Sequence, residues 1–145
     1  MFFVHLSARD YFTSGDGKKV LEGTVATQHR RTADCLLDAM DSKLRRDMCN
    51  LQKPGARIQE ATGRIKGSIL LQIAYACEYW IEHLSACPQD SHNVLSDDGK
   101  THRFLQRHLL YWIEAMSLLN KIPVAIAAIQ KLQSILTRKV VAHSA

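Results

Sequence analysis

Four side chains in the middle of the sequence, Cys77, His83, Cys87 and His92, are of the types that bind zinc. Zinc sites collect thiolates and imidazoles mostly from closely paired positions. Here the ligands would have to converge across a helix end and a loop. A helix through 77–84 puts Cys77 on its apolar stripe and turns His83 well away from it. No metal centre is expected, and Cys77 reads as a small core residue. The chain has seven histidines and four cysteines, Cys35, Cys49, Cys77 and Cys87. A Cys–His nucleophile needs the imidazole oriented on the thiol, and no spacing here imposes that. His108 lies between Leu105 and Tyr111 at helical spacing and reads as a packed or hydrogen-bonded histidine, not a base. Asp97-Asp98-Gly99 lacks the spaced oxygen ligands and closing glutamate of a calcium loop, so it reads as a turn ahead of a helix. No GxxxxGK[ST] phosphate loop, HExxH or GxSxG occurs. No catalytic, cofactor-binding or metal-ligating residue is therefore expected, and the chain is read as no enzyme and as holding no cofactor.

These side chains must be positioned by helices. The 145 residues are 46% hydrophobic, with 7 glycines and 3 prolines, a balance that excludes disorder and collagen-like repeats and suits one domain with a real core. No apolar run approaches the roughly 18 residues of a membrane span. Met1-Phe2-Phe3-Val4 meets His5, Arg9 and Asp10 too soon for a signal-peptide core. A cytoplasmic chain with reduced thiols and no membrane partner is expected. The net charge of +5 is spread as Lys18-Lys19, Arg30-Arg31, Arg45-Arg46 and single residues, the pattern of solvated helix faces.

Residues 2–6 are apolar and β-prone, suiting one short strand, after which Ser7 caps a short helix through Tyr11-Phe12. The glycines of Ser14-Gly15-Asp16-Gly17-Lys18 mark a loop. From about Thr24, Val25, His29, Ala33, Leu36, Leu37, Met40 and Leu44 recur at three- and four-residue steps and predict a helix. A short helix through Leu44–Cys49 is expected next, then a break at Pro54-Gly55 and a short helix within 57–67. Leu70, Ile73, Cys77, Trp80, Ile81 and Leu84 form the stripe of a stronger helix, ended by Cys87-Pro88 and a polar loop to Gly99. Leu105, Leu109, Trp112, Met116 and Leu119 share one face of a helix over about 100–120. Pro123 opens a last helix, whose predicted buried stripe is Ile122, Ile126, Ile129, Leu132, Leu136 and Val140. The fold class is thus mainly α, an antiparallel helical bundle or helix-hairpin array with a short N-terminal strand/helix remnant. Its predicted core anchors are Trp80, Trp112, Cys77, Leu84, Leu105, Leu109, Met116, Ile126 and Ile129.

Tyr79-Trp80-Ile81-Glu82 recurs as Tyr111-Trp112-Ile113-Glu114, 32 residues later. Helix-pair repeats have such periods, but two core helices that each need a large aromatic and an outward glutamate explain it as well. Both tryptophans have faces on which bases stack, yet their place on apolar stripes favours the core.

Four stretches carry a resemblance. They are Val4-His5-Leu6-Ser7-Ala8-Arg9-Asp10-Tyr11-Phe12, Asp47-Met48-Cys49-Asn50-Leu51-Gln52-Lys53-Pro54-Gly55, Gln72-Ile73-Ala74-Tyr75-Ala76-Cys77-Glu78-Tyr79-Trp80-Ile81-Glu82-His83-Leu84, and Phe104-Leu105-Gln106-Arg107-His108-Leu109-Leu110-Tyr111-Trp112-Ile113-Glu114-Ala115-Met116-Ser117-Leu118. In order and approximate spacing they resemble the fungal NACHT-domain ATPases of the vegetative-incompatibility, NOD-like type, which often end in WD repeats. The resemblance implies a region after the ATPase core. Residues 1–20 would be the remnant of a winged-helix domain end, and 21–145 the helical domain preceding the repeats. It implies a non-catalytic, connecting and regulatory function through interdomain or protein–protein contacts, with a NACHT ATPase core and a WD-repeat domain as partners. Nucleotide-binding residues do not carry over, because no position here matches the family's phosphate loop. Ile69-Leu70-Leu71 stand where the family often has prolines, which implies an earlier helix start or a different local turn. Met1 would begin inside a domain, so a fragment is expected. The alternative is a small basic helical nucleic-acid-binding protein, motivated by the charge, whose affinity would grow as salt falls.

Overall fold

A computed structural model describes residues 25–53, 55–87 and 99–144. Five helices follow one another: α1 Val25–Lys43, α2 Ile58–Ile65, α3 Ile69–Ser85, α4 Lys100–Leu118 and α5 Ile122–His143. Among the described residues there is no strand, and the chain is a mainly α helical bundle. The expected N-terminal strand and short helix, the proposed domain end over 1–20, and the loop over 88–98 lie outside the described residues. Among those described, no helix is long and apolar enough to cross a membrane.

The apolar spacing explains which element is central. Helix α3 buries Leu70, Ile73, Ala76, Cys77, Trp80, Ile81 and Leu84, a wide arc of its circumference. An arc that wide packs on several neighbours; α3 meets α1 most extensively and also touches α4 and α5. Ala33 and Leu37 of α1 are buried, and the Ala33–Leu37–Met40–Leu44 progression continues the stripe beyond the helix end. Helix α3 starts at Ile69, so Ile69-Leu70-Leu71 is its first turn and Leu70 is fully buried. Ser68 precedes it with extended backbone, its hydroxyl donating to the Ile65 carbonyl instead of capping α3.

Two expectations need correction. Leu44–Cys49 forms no helix: Asp47, Asn50 and Gln52 adopt φ of 53°, 52° and 61°, the left-handed region that interrupts helical hydrogen bonding. The Asp47 carboxylate accepts the amides of Leu51 at 2.6 Å and Gln52 at 2.9 Å, a local alternative to helix. Met48 and Cys49 are still buried by the turn.

The second correction concerns α5. Ile126 is 54% exposed and Ile129 40%, and Ile122 and Leu136 are also exposed; Ala125, Ala128 and Leu132 are buried in their place. The helix carries apolar residues around most of its circumference, so two stripes about a quarter-turn apart compete for the core. The buried stripe, which packs toward α3 and α4, is the one with the small Ala125 and Ala128, and small side chains fit a well-filled interface better than bulky ones. Leu105 and Leu109 are half-buried against the core edge, whereas Trp80, Trp112, Cys77, Leu84 and Met116 are buried.

Candidate functional site

The two Tyr-Trp-Ile-Glu tetrapeptides meet at the centre of the bundle. Trp80 and Trp112 are fully buried and pack edge to face, with ring centroids 6.0 Å apart at 84°; Phe104 meets Trp80 at 5.3 Å and 66°. These are favoured aromatic geometries. The Trp112 indole N–H donates to the Cys77 carbonyl at 2.9 Å, tying α4 to α3. The matched glutamates diverge in use. Glu82 pairs with Lys131 of α5, while the Glu114 carboxylate accepts the Asp47 amide at 3.0 Å. Neither tryptophan presents a face to solvent.

That Glu114 contact anchors the turn after α1. Accepting the Gln52 and Leu51 amides holds the Asp47 carboxyl below its ordinary 3.8. An Arg64 N–H donates to the Asn50 carbonyl and fastens the far side of the turn to α2. The Asp47–Gly55 stretch therefore does positional work: its polar groups hold a left-handed turn against α2 and α4. A local signal for it was present, since aspartate favours side-chain bonds to amides a few residues on. Its acceptor 67 positions away in Glu114 had none.

A polar cluster also bridges α1 and α3. His29 Nδ1 and His83 Nδ1 are 2.9 Å apart, and the Tyr75 hydroxyl lies 2.9 Å from His83 Nε2. The histidine on the apolar stripe of α1 was the available clue, for a polar residue at a buried register needs a partner. His83 does not join Cys77 or Cys87 as a ligand set: its ring is engaged by His29 and Tyr75, and Cys87 donates its thiol to the His83 carbonyl at 3.3 Å. His92 lies outside the described residues. Among those described, no group of three or more His, Cys, Asp or Glu is placed to hold a metal ion. Burial pushes the Cys77 thiol up to about 12, and raises Cys49 and Cys87 as well. Those thiols are held protonated near neutral pH, the unreactive form.

The His pair sets a pH dependence. Burial, followed by the neighbouring His29, lowers His83 below its ordinary 6.5, with Glu82 opposing. A base with a depressed native value binds fewer protons folded than unfolded, so its contribution is intact above about 6.5 and is lost as pH falls through the native value. A protonated His83 carries N–H groups on both ring nitrogens and so no longer accepts at Nδ1. The urea midpoint is expected to fall between pH 7.5 and 5.5, and to fall less in His83→Gln; parallel curves for both proteins would contradict this.

His108 is packed and hydrogen-bonded: Nε2 lies 2.9 Å from the Asp41 carboxylate, and the ring lies tilted against Phe104 and Tyr111. Beside it, Leu37, Asp38, Asp41, Lys100, Arg103, Phe104 and Arg107 line a cavity of about 180 Å³ between α1 and α4. Its charges satisfy one another in part: Lys100 pairs with Asp38 at 2.6 Å and donates to the Asp34 carbonyl. Such half-exposed pairs contribute about 0–1 kcal/mol.

No protein-family model and no solved structure matches the chain. Among curated proteins, it is similar to the vegetative incompatibility protein HET-E-1 of Podospora anserina, at 35% identity over 153 aligned residues. The match takes in 94% of this chain and only 11% of HET-E-1, so the chain spans about a ninth of the relative's length. The chain is a relative of one stretch of a fungal vegetative incompatibility protein.

Proposed function

We propose that the chain is a non-catalytic helical module, related to the region after the ATPase core of a fungal NACHT signalling protein, that acts through interdomain or protein contacts. One observation carries this reading. The three described family-like stretches direct their distinctive side chains inward or to one another: Trp112 to the Cys77 carbonyl, Trp80 into the core, and Glu114 to the Asp47 amide. Residues used in this way set the relative position of helices, which is what a connecting element needs. The similarity to HET-E-1 over nearly the whole chain supports the same relationship.

The test is direct. The purified chain is expected neither to bind a fluorescent ATP analogue at about 100 μM nor to release phosphate from ATP, while an ATPase core from the relative retains it on a column. Saturable ATP turnover that tracks the chain through purification would overturn the reading.

A further inference from the structure

The basic charge gathers at one corner of the bundle. Residues 43–66 hold seven Lys and Arg against Asp47 and Glu60, a net charge of +5 that equals the charge of the whole chain. Lys43, Arg45, Arg46 and Lys53 flank the turn after α1, and Arg57, Arg64 and Lys66 belong to α2 and its two ends. All but Lys43 are exposed. Elsewhere several cations are matched, Lys100 by Asp38, Lys121 by Glu78 and Lys131 by Glu82. None of the seven forms an ion pair among the described residues.

The fold draws these groups together. The Arg64 N–H on the Asn50 carbonyl fastens α2 to the turn. The Asp47 carboxyl, held low first by the Gln52 and Leu51 amides, is lowered further by Arg46 and Arg64, so both guanidinia stand near it. That carboxylate is committed to the two amides, which leaves the cations in excess. Arg57 and Lys66 stand at opposite ends of α2, about 14 Å apart along its axis. One strand of a duplex presents about four phosphates over such a length.

We propose that this corner binds the phosphate backbone of a double-stranded nucleic acid, without preference for base sequence. What the corner lacks selects that partner. No Phe, Tyr or Trp occurs within 43–66, so single-stranded bases find no platform to stack on. Among the described residues, none of the exposed large apolar side chains lies there. The corner therefore offers no apolar anchor to a protein and no second signal to a membrane. Charge alone must drive the contact. An acidic peptide gains little from each exposed ion pair, whereas a nucleic acid also releases its condensed counterions. This binding goes beyond the connecting function proposed above and does not depend on it.

Fluorescence anisotropy of a labelled DNA duplex of about 20 base pairs tests this with the full chain, from about 20 to 200 mM salt. With four or five phosphates engaged, affinity is expected to fall about 250- to 1,000-fold between about 50 and 200 mM. Lys53→Gln combined with Arg57→Gln should weaken binding at about 50 mM by about tenfold or more, and reduce the slope of log affinity against log salt by about 2. The Arg57 side chain makes no cap bond to α2. Arg31→Gln combined with Arg138→Gln removes equal charge outside the corner and should change affinity less than about twofold. Helicity checks the folding of each variant, and Lys66→Gln replaces a corner change that unfolds the chain. Binding of a DNA or an RNA duplex supports the proposal, and the ratio of the two names the source of the phosphates. No binding at the lowest salt overturns it. Tighter capture by a single strand, by poly-glutamate or by phosphatidylserine vesicles overturns it as well. So does a clear preference between two unrelated duplex sequences, or a control variant as weak as the corner variant. Failure of duplex binding leaves the connecting function standing, whereas ATP turnover by a duplex-binding chain removes only the non-catalytic reading.

Discussion

Replacing Trp112 with alanine is expected to lower the unfolding free energy by about 3–5 kcal/mol, the usual loss when a buried indole leaves a cavity. The ring is fully buried, packs edge to face on Trp80, and ties α4 to α3 through the Cys77 carbonyl. Domains of this size are stable by about 5–15 kcal/mol, so the variant sits near the threshold of folding. Its thermal midpoint is expected to fall by about 10–20 °C. The paired tryptophans allow a sharper contrast. Trp112→Phe removes a ring and the donor to Cys77, whereas the buried Trp80 Nε1 has no hydrogen-bond partner among the described residues. Trp112→Phe should therefore cost about 1 kcal/mol more than Trp80→Phe, the net value of one hydrogen bond. Equal losses in urea titrations would show that the indole N–H contributes nothing.

Ala125→Leu is expected to destabilise the chain by about 1–3 kcal/mol, while Ile126→Ser, one residue on, changes stability by no more than about 0.5 kcal/mol. Position 125 is 3% exposed, and added carbons at such a site force side chains off their rotamers or push α5 away from its neighbours. Position 126 faces outward, where substitutions have small effects. Both are measured by urea titration at the same protein concentration. The opposite ranking would place the isoleucine stripe in the core.

This pair marks where the sequence stopped being sufficient. The apolar spacing of α1, α3 and α4 located them to within a few residues, although in α4 Phe104, Ala115 and Leu118 take core positions while Leu105 and Leu109 stay half-buried. Gly99 before α4 and Pro123 in the first turn of α5 punctuated the boundaries. In α5 the pattern was redundant. Spacing alone pointed to the stripe of large side chains through Ile126 and Ile129, the kind whose transfer from water is rewarded most. Packing against existing helices rewards fit instead, and the small Ala125 and Ala128 are the residues buried.

The left-handed turn after α1 failed to show for a different reason. Leu44–Cys49 has helical propensity, and the alternative is stabilised by the amides of Leu51 and Gln52 on Asp47, by Glu114 on the Asp47 amide and by Arg64 on the Asn50 carbonyl. The candidate site shared that fate. His83 was visible as a chemically capable residue, and His29 sat visibly on a buried register. Their Nδ1 contact joins positions 54 residues apart, and nothing local encodes such a distance.

What the sequence determined by itself is a mainly α chain with a tryptophan on each of two core helices, and a likeness to one part of a fungal signalling family. Period and propensity act over a few residues, so they are legible along the chain. Tertiary structure decided which stripe of α5 is buried, which polar groups find one another, and which apolar side chains stay exposed. Each of those outcomes depends on the shape and chemistry of a surface assembled from distant residues.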